Sequence, residues 1–334
     1  MKAIKFFAIS AMAAAMITSC STDDELSQSN YPSDNIIRVT AGVNNAKTRA
    51  EGAGTPLKNP LSLTVVNKNE NATLAAKYTY VNKVFSKDEN EVWRCSETLL
   101  WQNSETPVDI VAFAPAQGDK FNGVYANGSI QPITYSVADD QSEKSDNNDL
   151  LYNYTPGFVP GGTNLDKDGK LSIQMNHAFC MIDINVTLGT EFNKPNVLDD
   201  SPIVKVTLGG TKIAANVDVT KAASVVTVSE TDAATDITTT KGSFDKAANA
   251  EANAKSHFSC IAIPQKVGAN TFKVSLMTAG KRYEWTSDEE ITLQSGYRYT
   301  LNLSMGNDVV LLKGGSISAT PWTEITSDKP LETD

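Results

Sequence analysis

Met181-Ile182-Asp183-Ile184-Asn185-Val186-Thr187-Leu188 alternates without a break: Ile182, Ile184, Val186 and Leu188 fall on one side of an extended chain, and Asp183, Asn185 and Thr187 on the other. Successive side chains of a strand point to opposite faces, so this stretch predicts a strand with one dry and one wet face. Residues 297–305 repeat the pattern, with Tyr297, Tyr299, Leu301, Leu303 and Met305 against Arg298, Thr300, Asn302 and Ser304. Shorter versions are Val204-Val206-Leu208, Phe258-Cys260-Ala262, Phe272-Val274-Leu276, Tyr78-Tyr80 and Val108-Ile110, with turn signals between them such as Gly209-Gly210, Ala279-Gly280 and Ser295-Gly296. Helical periodicity is scarce; the Ala-rich residues 245–255 fit a short helix or a loop equally. The expected class is all-β, with antiparallel strands stacked as sandwiches.

The chain opens with Lys2 and Lys5, an apolar run over residues 6–17, then Thr18, Ser19 and Cys20. A positive end, a short apolar core and small residues make a secretory signal over residues 1–19, too short for the ~20 residues of a membrane span. Ile17-Thr18-Ser19-Cys20 resembles the lipobox of bacterial lipoproteins, which makes Cys20 the expected lipidation site and a covalent lipid the only expected cofactor-like group. Ser21-Thr22-Asp23-Asp24-Glu25 follows, and residues 20–35 read as an acidic, polar tether. The formal net charge is −10, and loss of Lys2 and Lys5 makes the mature chain more acidic still. That balance argues against nucleic acid as a partner.

The mature length suits two domains of ~150 residues. Residues 155–170 hold two prolines and four glycines, so the expected division is 36–162 and 163–334. Cys95, Cys180 and Cys260 have no metal-ligand spacing and read as small buried hydrophobes, with a Cys180–Cys260 bridge left open. The two histidines, His177 and His257, each lead into a strand and read as structural, and no Ser-His-Asp or Cys-His pattern is present. Asp166-Lys167-Asp168-Gly169-Lys170 begins like a calcium loop but lacks the later ligands, so a turn is expected. Neither an enzyme nor a metal site is expected.

In order along the chain, the Cys20 lipobox, residues 36–43 as a first strand, Lys47-Thr48-Arg49-Ala50, Ile110-Val111-Ala112-Phe113-Ala114-Pro115, Asp149-Leu150-Leu151-Tyr152, Met175-Asn176-His177-Ala178-Phe179-Cys180, Gly296-Tyr297-Arg298-Tyr299 and Ala319-Thr320-Pro321-Trp322 resemble the fimbrillin-type surface proteins of the Bacteroides group. The resemblance implies two tandem transthyretin-like sandwiches and a lipidated precursor held at the outer membrane surface. It implies an arginine-specific maturation protease cutting between Arg49 and Ala50, and loss of the first strand; the alternation itself, Ile37, Val39, Ala41 and Val43 against Arg38, Thr40 and Gly42, suits that strand to a half-buried slot. A strand from another pilin subunit would then fill the vacated slot, building a fimbrium that adheres to a surface receptor. Without the resemblance, Arg49 is an ordinary loop arginine among Gly52, Gly54 and Pro56.

The donor end fits this scheme least well. Residues 327–334 are charged and contain Pro330, while residues 309–312 and 317–322 are better strands that a second domain could need for itself. A tip or accessory subunit that accepts a strand without donating one is therefore as compatible as a shaft subunit. The alternative from a different class is a monomeric glycan-binding surface lipoprotein, with Trp93, Trp101, Trp285 and Trp322 as a sugar platform.

Overall fold

A computed structural model describes residues 29–44, 55–222, 224–312 and 317–322. The chain is all-β, as expected. One eight-stranded sheet orders Thr55–Pro56, Val39–Val43, Leu171–His177, Leu151–Phe158, Val108–Ala114, Leu61–Asn67, Tyr80–Lys87 and Trp93–Cys95. A second places Thr240–Asp245, Lys255–Ala262, Cys180–Leu188 and Tyr297–Met305 side by side, with Val310–Leu312 and Ser318–Pro321 both paired to Tyr297–Met305. A third orders Ile237–Thr238, Ile203–Gly209, Lys273–Thr278 and Arg282–Thr286.

The strands with the cleanest alternation behave as read. Over Cys180–Leu188 every second residue is buried, beginning with Cys180, and Tyr299, Leu301, Leu303 and Met305 are buried along Tyr297–Met305. Two strands break the pattern because both of their faces are covered. All seven residues of Val108–Ala114 and of Leu61–Asn67 are buried. Ile110 and Ala112 face one core and Val111 and Phe113 the other. Most of their polar groups are paired: Ser62 donates to Asn82 Oδ1 (2.7 Å), and Asp109 accepts from Gly157 N–H (2.9 Å) and pairs with Lys68 (2.5 Å), while Asn67 accepts from Asn69 N–H (2.9 Å) but its Nδ2 has no partner among the described residues.

Some expectations are corrected. Val204 does not share a face with Val206 and Leu208: a bulge between Ile203 and Lys205 turns it outward, 61% exposed. Two strand pairs run parallel, Val39–Val43 with Leu171–His177 and Cys180–Leu188 with Tyr297–Met305. Residues 246–254 form turns, and the one α-helix among the described residues is Ala72–Lys77, whose first N–H groups are capped by Asn71 Oδ1 at 3.0 and 3.2 Å. Cys180 and Cys260 are free and buried, diagonal across adjacent strands, since Cys180 opposes Ala262 and Cys260 opposes Ile182. Burial pushes both thiols up, so neither is a nucleophile.

The expected boundary at 162/163 falls between Leu151–Phe158 and Leu171–His177, which are neighbours in one sheet. The chain changes sheets after His177, across Ala178-Phe179. Earlier residues also reach the later part of the chain, because Ile133–Ser136 pairs with Ala214–Val217 and Asp140 bridges Thr238. Gln141 fixes this crossing. Buried at 2% exposure, its amide accepts from Ile261 N–H (2.8 Å) and donates to Ile261 C=O (2.9 Å). Gln141→Ala leaves both groups unpaired, and urea denaturation is expected to show a loss of about 2–4 kcal/mol at unchanged m-value.

Candidate functional site

The residues before and within the first strand act as a seam. Ile36 bridges Leu100, Ile37 N–H donates to Leu99 C=O (2.9 Å) and Trp101 N–H donates to Asn35 C=O (2.8 Å). At Arg38 the partner changes: Leu171 N–H donates to Arg38 C=O (2.8 Å), and Val39–Val43 then runs parallel to Leu171–His177, with Val39 opposite Leu171 and Val43 opposite Met175. The strand expected over residues 36–43 thus begins at Val39, and the residues ahead of it tie to chain just past Trp93–Cys95, at the other end of the sheet. One segment closes both edges around a single core.

Ile37, Val39 and Val43 are buried in that core, at 3%, 3% and 1% exposure, and the half-buried Ala41 packs against it. The slot they fill is walled by Leu171, Ile173 and Met175 on the neighbouring strand and by Leu99 and Trp101 across the core. Burying each of the three larger side chains is worth ~1.5–3 kcal/mol, an upper estimate. Holding some ten residues in place costs ~1 kcal/mol or more apiece in chain entropy, which is as large as that gain or larger, so the backbone hydrogen bonds to Leu99, Trp101 and Leu171–His177 supply what holds the segment. The segment is therefore held by a modest net free energy, while the edge it covers cannot stay bare without leaving a row of unpaired N–H and C=O groups.

On its other side, Gly42 and Val43 oppose Pro56 and Thr55, so the chain on either side of residues 45–54 lies in antiparallel register. Arg49 and Ala50 belong to that connection and lie outside the described residues, as do Cys20, the acidic tether as far as residue 28, and residues 327–334. Upstream, Asp34 accepts from Ile36 N–H (3.1 Å) and forms a two-pronged pair with Arg38 (3.0 and 2.6 Å). The hydrogen-bonded Arg38 guanidinium lowers the Asp34 carboxyl to about 2. Because the folded value lies below the ordinary 3.8, the tie is intact above about pH 4 and is lost as pH falls towards 2. Both groups are exposed, so the stability effect is small. An NMR titration should place the Asp34 midpoint near 2 in the wild type and higher in Arg38→Ala, still below the ordinary carboxylate value because the Ile36 N–H bond to Asp34 remains.

The C-terminal strands are engaged at home. Val310–Leu312 and Ser318–Pro321 occupy consecutive parts of one edge of Tyr297–Met305. Trp322 is buried and stacks on His177, with ring centroids 3.8 Å apart, while His177 Nδ1 lies 3.0 Å from both Asp149 carboxylate oxygens. His177 ends the strand that walls the slot. Sequence reading placed His177 as structural but missed both partners, which are 28 and 145 positions away. His257 is likewise hydrogen-bonded, to Asn185 Oδ1 (2.8 Å) and Asp245 (2.9 Å).

The proposed aromatic platform does not form. Trp93, Trp101 and Trp322 are buried, and the half-buried Trp285 meets Phe272 edge-on at 6.4 Å. Asp166 Oδ1 accepts from the N–H groups of Asp168 (2.9 Å) and Lys170 (2.8 Å), which makes that segment a turn, and no metal-ligating cluster occurs among the described residues.

Comparison with known proteins adds to this geometry. A family profile described as fimbrillin-like matches residues 48–322. No curated protein matches significantly. Among solved structures, a candidate cell adhesion protein from Bacteroides ovatus is similar with a TM-score of 0.61 at 16% identity, covering 87% of this chain and 98% of its own. A candidate cell adhesion protein from Bacteroides uniformis (TM-score 0.54, 16% identity, 87% and 100% covered) and a fimbrial protein from Bacteroides vulgatus (0.53, 13%, 86% and 99%) share the fold.

Proposed function

Because the chain belongs to the fimbrillin-like family, we propose that it is a pilin or tip subunit of adhesive surface fimbriae, assembled by exchange of its first strand. Family membership makes it a structural protein and not an enzyme, one that assembles with other pilin subunits at the cell surface. In the proposed course, Cys20 carries lipid and holds the precursor at the outer membrane. An arginine-specific protease then cuts after Arg49, and residues up to Arg49 leave. The observation that carries this reading is the seam: Ile37, Val39 and Val43 fill a core through a segment that is one continuous piece at the start of the chain. Its departure uncovers the Leu171–His177 edge and apolar pockets in register, which a strand of alternating side chains from another subunit can occupy.

The engagement of Val310–Leu312 and Ser318–Pro321 within their own sheet favours a subunit that accepts a strand without giving one. Electron microscopy of surface-sheared material with an antibody to this chain tests the reading. Label at filament ends supports a tip subunit and label along filaments a shaft subunit; absence of label from all filaments contradicts the proposal.

A further inference from the structure

The outer face of the third sheet carries a trough of about 360 Å³ that strand exchange does not use. Its floor drops where Ile203–Gly209 ends, because Gly209 and Gly210 bring no side chains. A Cβ at Gly209 would lie 2.8 Å from Asp236 Oδ1, and one at Gly210, where φ is +87°, would lie 2.1 Å from the Thr271 carbonyl oxygen. Gly210 needs glycine for the Thr271 backbone to come so close, whereas at Gly209 the contact is with the end of the Asp236 side chain, which can turn aside. Every side chain lining the trough is polar.

Glu284 is held from three directions. Ser275 Oγ donates to it (3.2 Å), Arg282 reaches both Ser275 (2.9 Å) and Glu284 (3.3 Å), and Lys273 pairs with its other oxygen (3.4 Å). The carboxylate is fixed in direction while retaining unused lone pairs. Across the trough, the side chains of Asp236 and Asn270 hydrogen-bond to no other described residue. Two carboxylates against two cations leave the trough near neutrality, so it selects neither an anion nor a cation. What it offers is a dense, pre-set array of donors and acceptors in a space at the small end for ligand sites.

The geometry points to a binding site for a single neutral sugar unit, a hexose or N-acetylhexosamine at the end of a glycan chain. Asp236 and Glu284 accept from its hydroxyl groups, and Asn270 and Arg282 donate to its oxygens. The site is independent of the first strand, so it binds equally with that strand present or removed, and its failure leaves the assembly reading untouched.

The test presents the purified full chain to immobilised galactose, mannose, N-acetylglucosamine, N-acetylgalactosamine and their disaccharides. The expected result is retention by at least one, weakened tenfold or more in Asp236→Asn and in Glu284→Gln at unchanged Tm. Amide NMR signals of Thr207 and Ser275 should shift on titration with the retained sugar. Retention by none of these sugars, or retention that both substitutions leave intact, overturns the assignment.

Discussion

Replacing Val43 with Asp is expected to open the slot while the rest of the protein stays folded. Val43 is 1% exposed and sits opposite Met175, itself fully buried, so an aspartate there cannot stay charged and unpaired in place. Because chain entropy offsets most of what holds residues 35–44, their detachment costs less than burying the charge. The cost should be capped at the few kcal/mol that hold the segment. Faster proteolysis within residues 45–54 and new hydrogen exchange at the amides of Leu171–His177 would report the detachment. Ile173→Asp places the same charge on the wall of the slot, from which it has no escape, and should cost about 4 kcal/mol or more of global stability. If Val43→Asp instead melts the whole protein as Ile173→Asp does, the segment is an integral part of the sheet and not a removable one.

Trp322→Ala is expected to be the most damaging change near the C-terminus, at about 3 kcal/mol or more in urea denaturation. The residues just before it, Ser318–Pro321, are all exposed and hold Tyr297–Met305 through backbone pairing alone. The Trp322 side chain supplies the anchor through its stack on His177, while the hydrogen bond of the Trp322 backbone N–H to Gly296 C=O (2.7 Å) is one that alanine can still make. Without it, the amides paired with Ser318–Pro321 should exchange faster. Because His177 terminates Leu171–His177, the slot wall should soften at that end as well. Unchanged exchange along residues 171–177 would show the two regions to be uncoupled.

The legible parts of the sequence were those whose environment is one-sided. Residues 181–188 and 297–305 alternate because one face of each is dry and the other wet, and both form the strands expected. Val108–Ala114 obscures its own period because both faces are buried. Val204 misleads because a bulge adds a residue that composition does not mark. The parallel neighbours of Val39–Val43 and Cys180–Leu188 could not be read at all, since alternation fixes which face is inside but not which strand lies alongside. The inward set Ile37, Val39, Ala41 and Val43 was readable from period alone. The change of partner at Arg38, which makes the segment a seam, depends on Leu99 and Leu171, whose positions only the fold determines.

The account rests on whether the subunit in a filament still contains its first strand. Mass spectrometry of this chain from detergent-resistant filaments sheared off the cell surface answers that directly. The predicted N-terminus is Ala50, with residues 36–43 absent. A filament subunit that begins at Cys20 and retains Val39–Val43 would contradict strand exchange at this site.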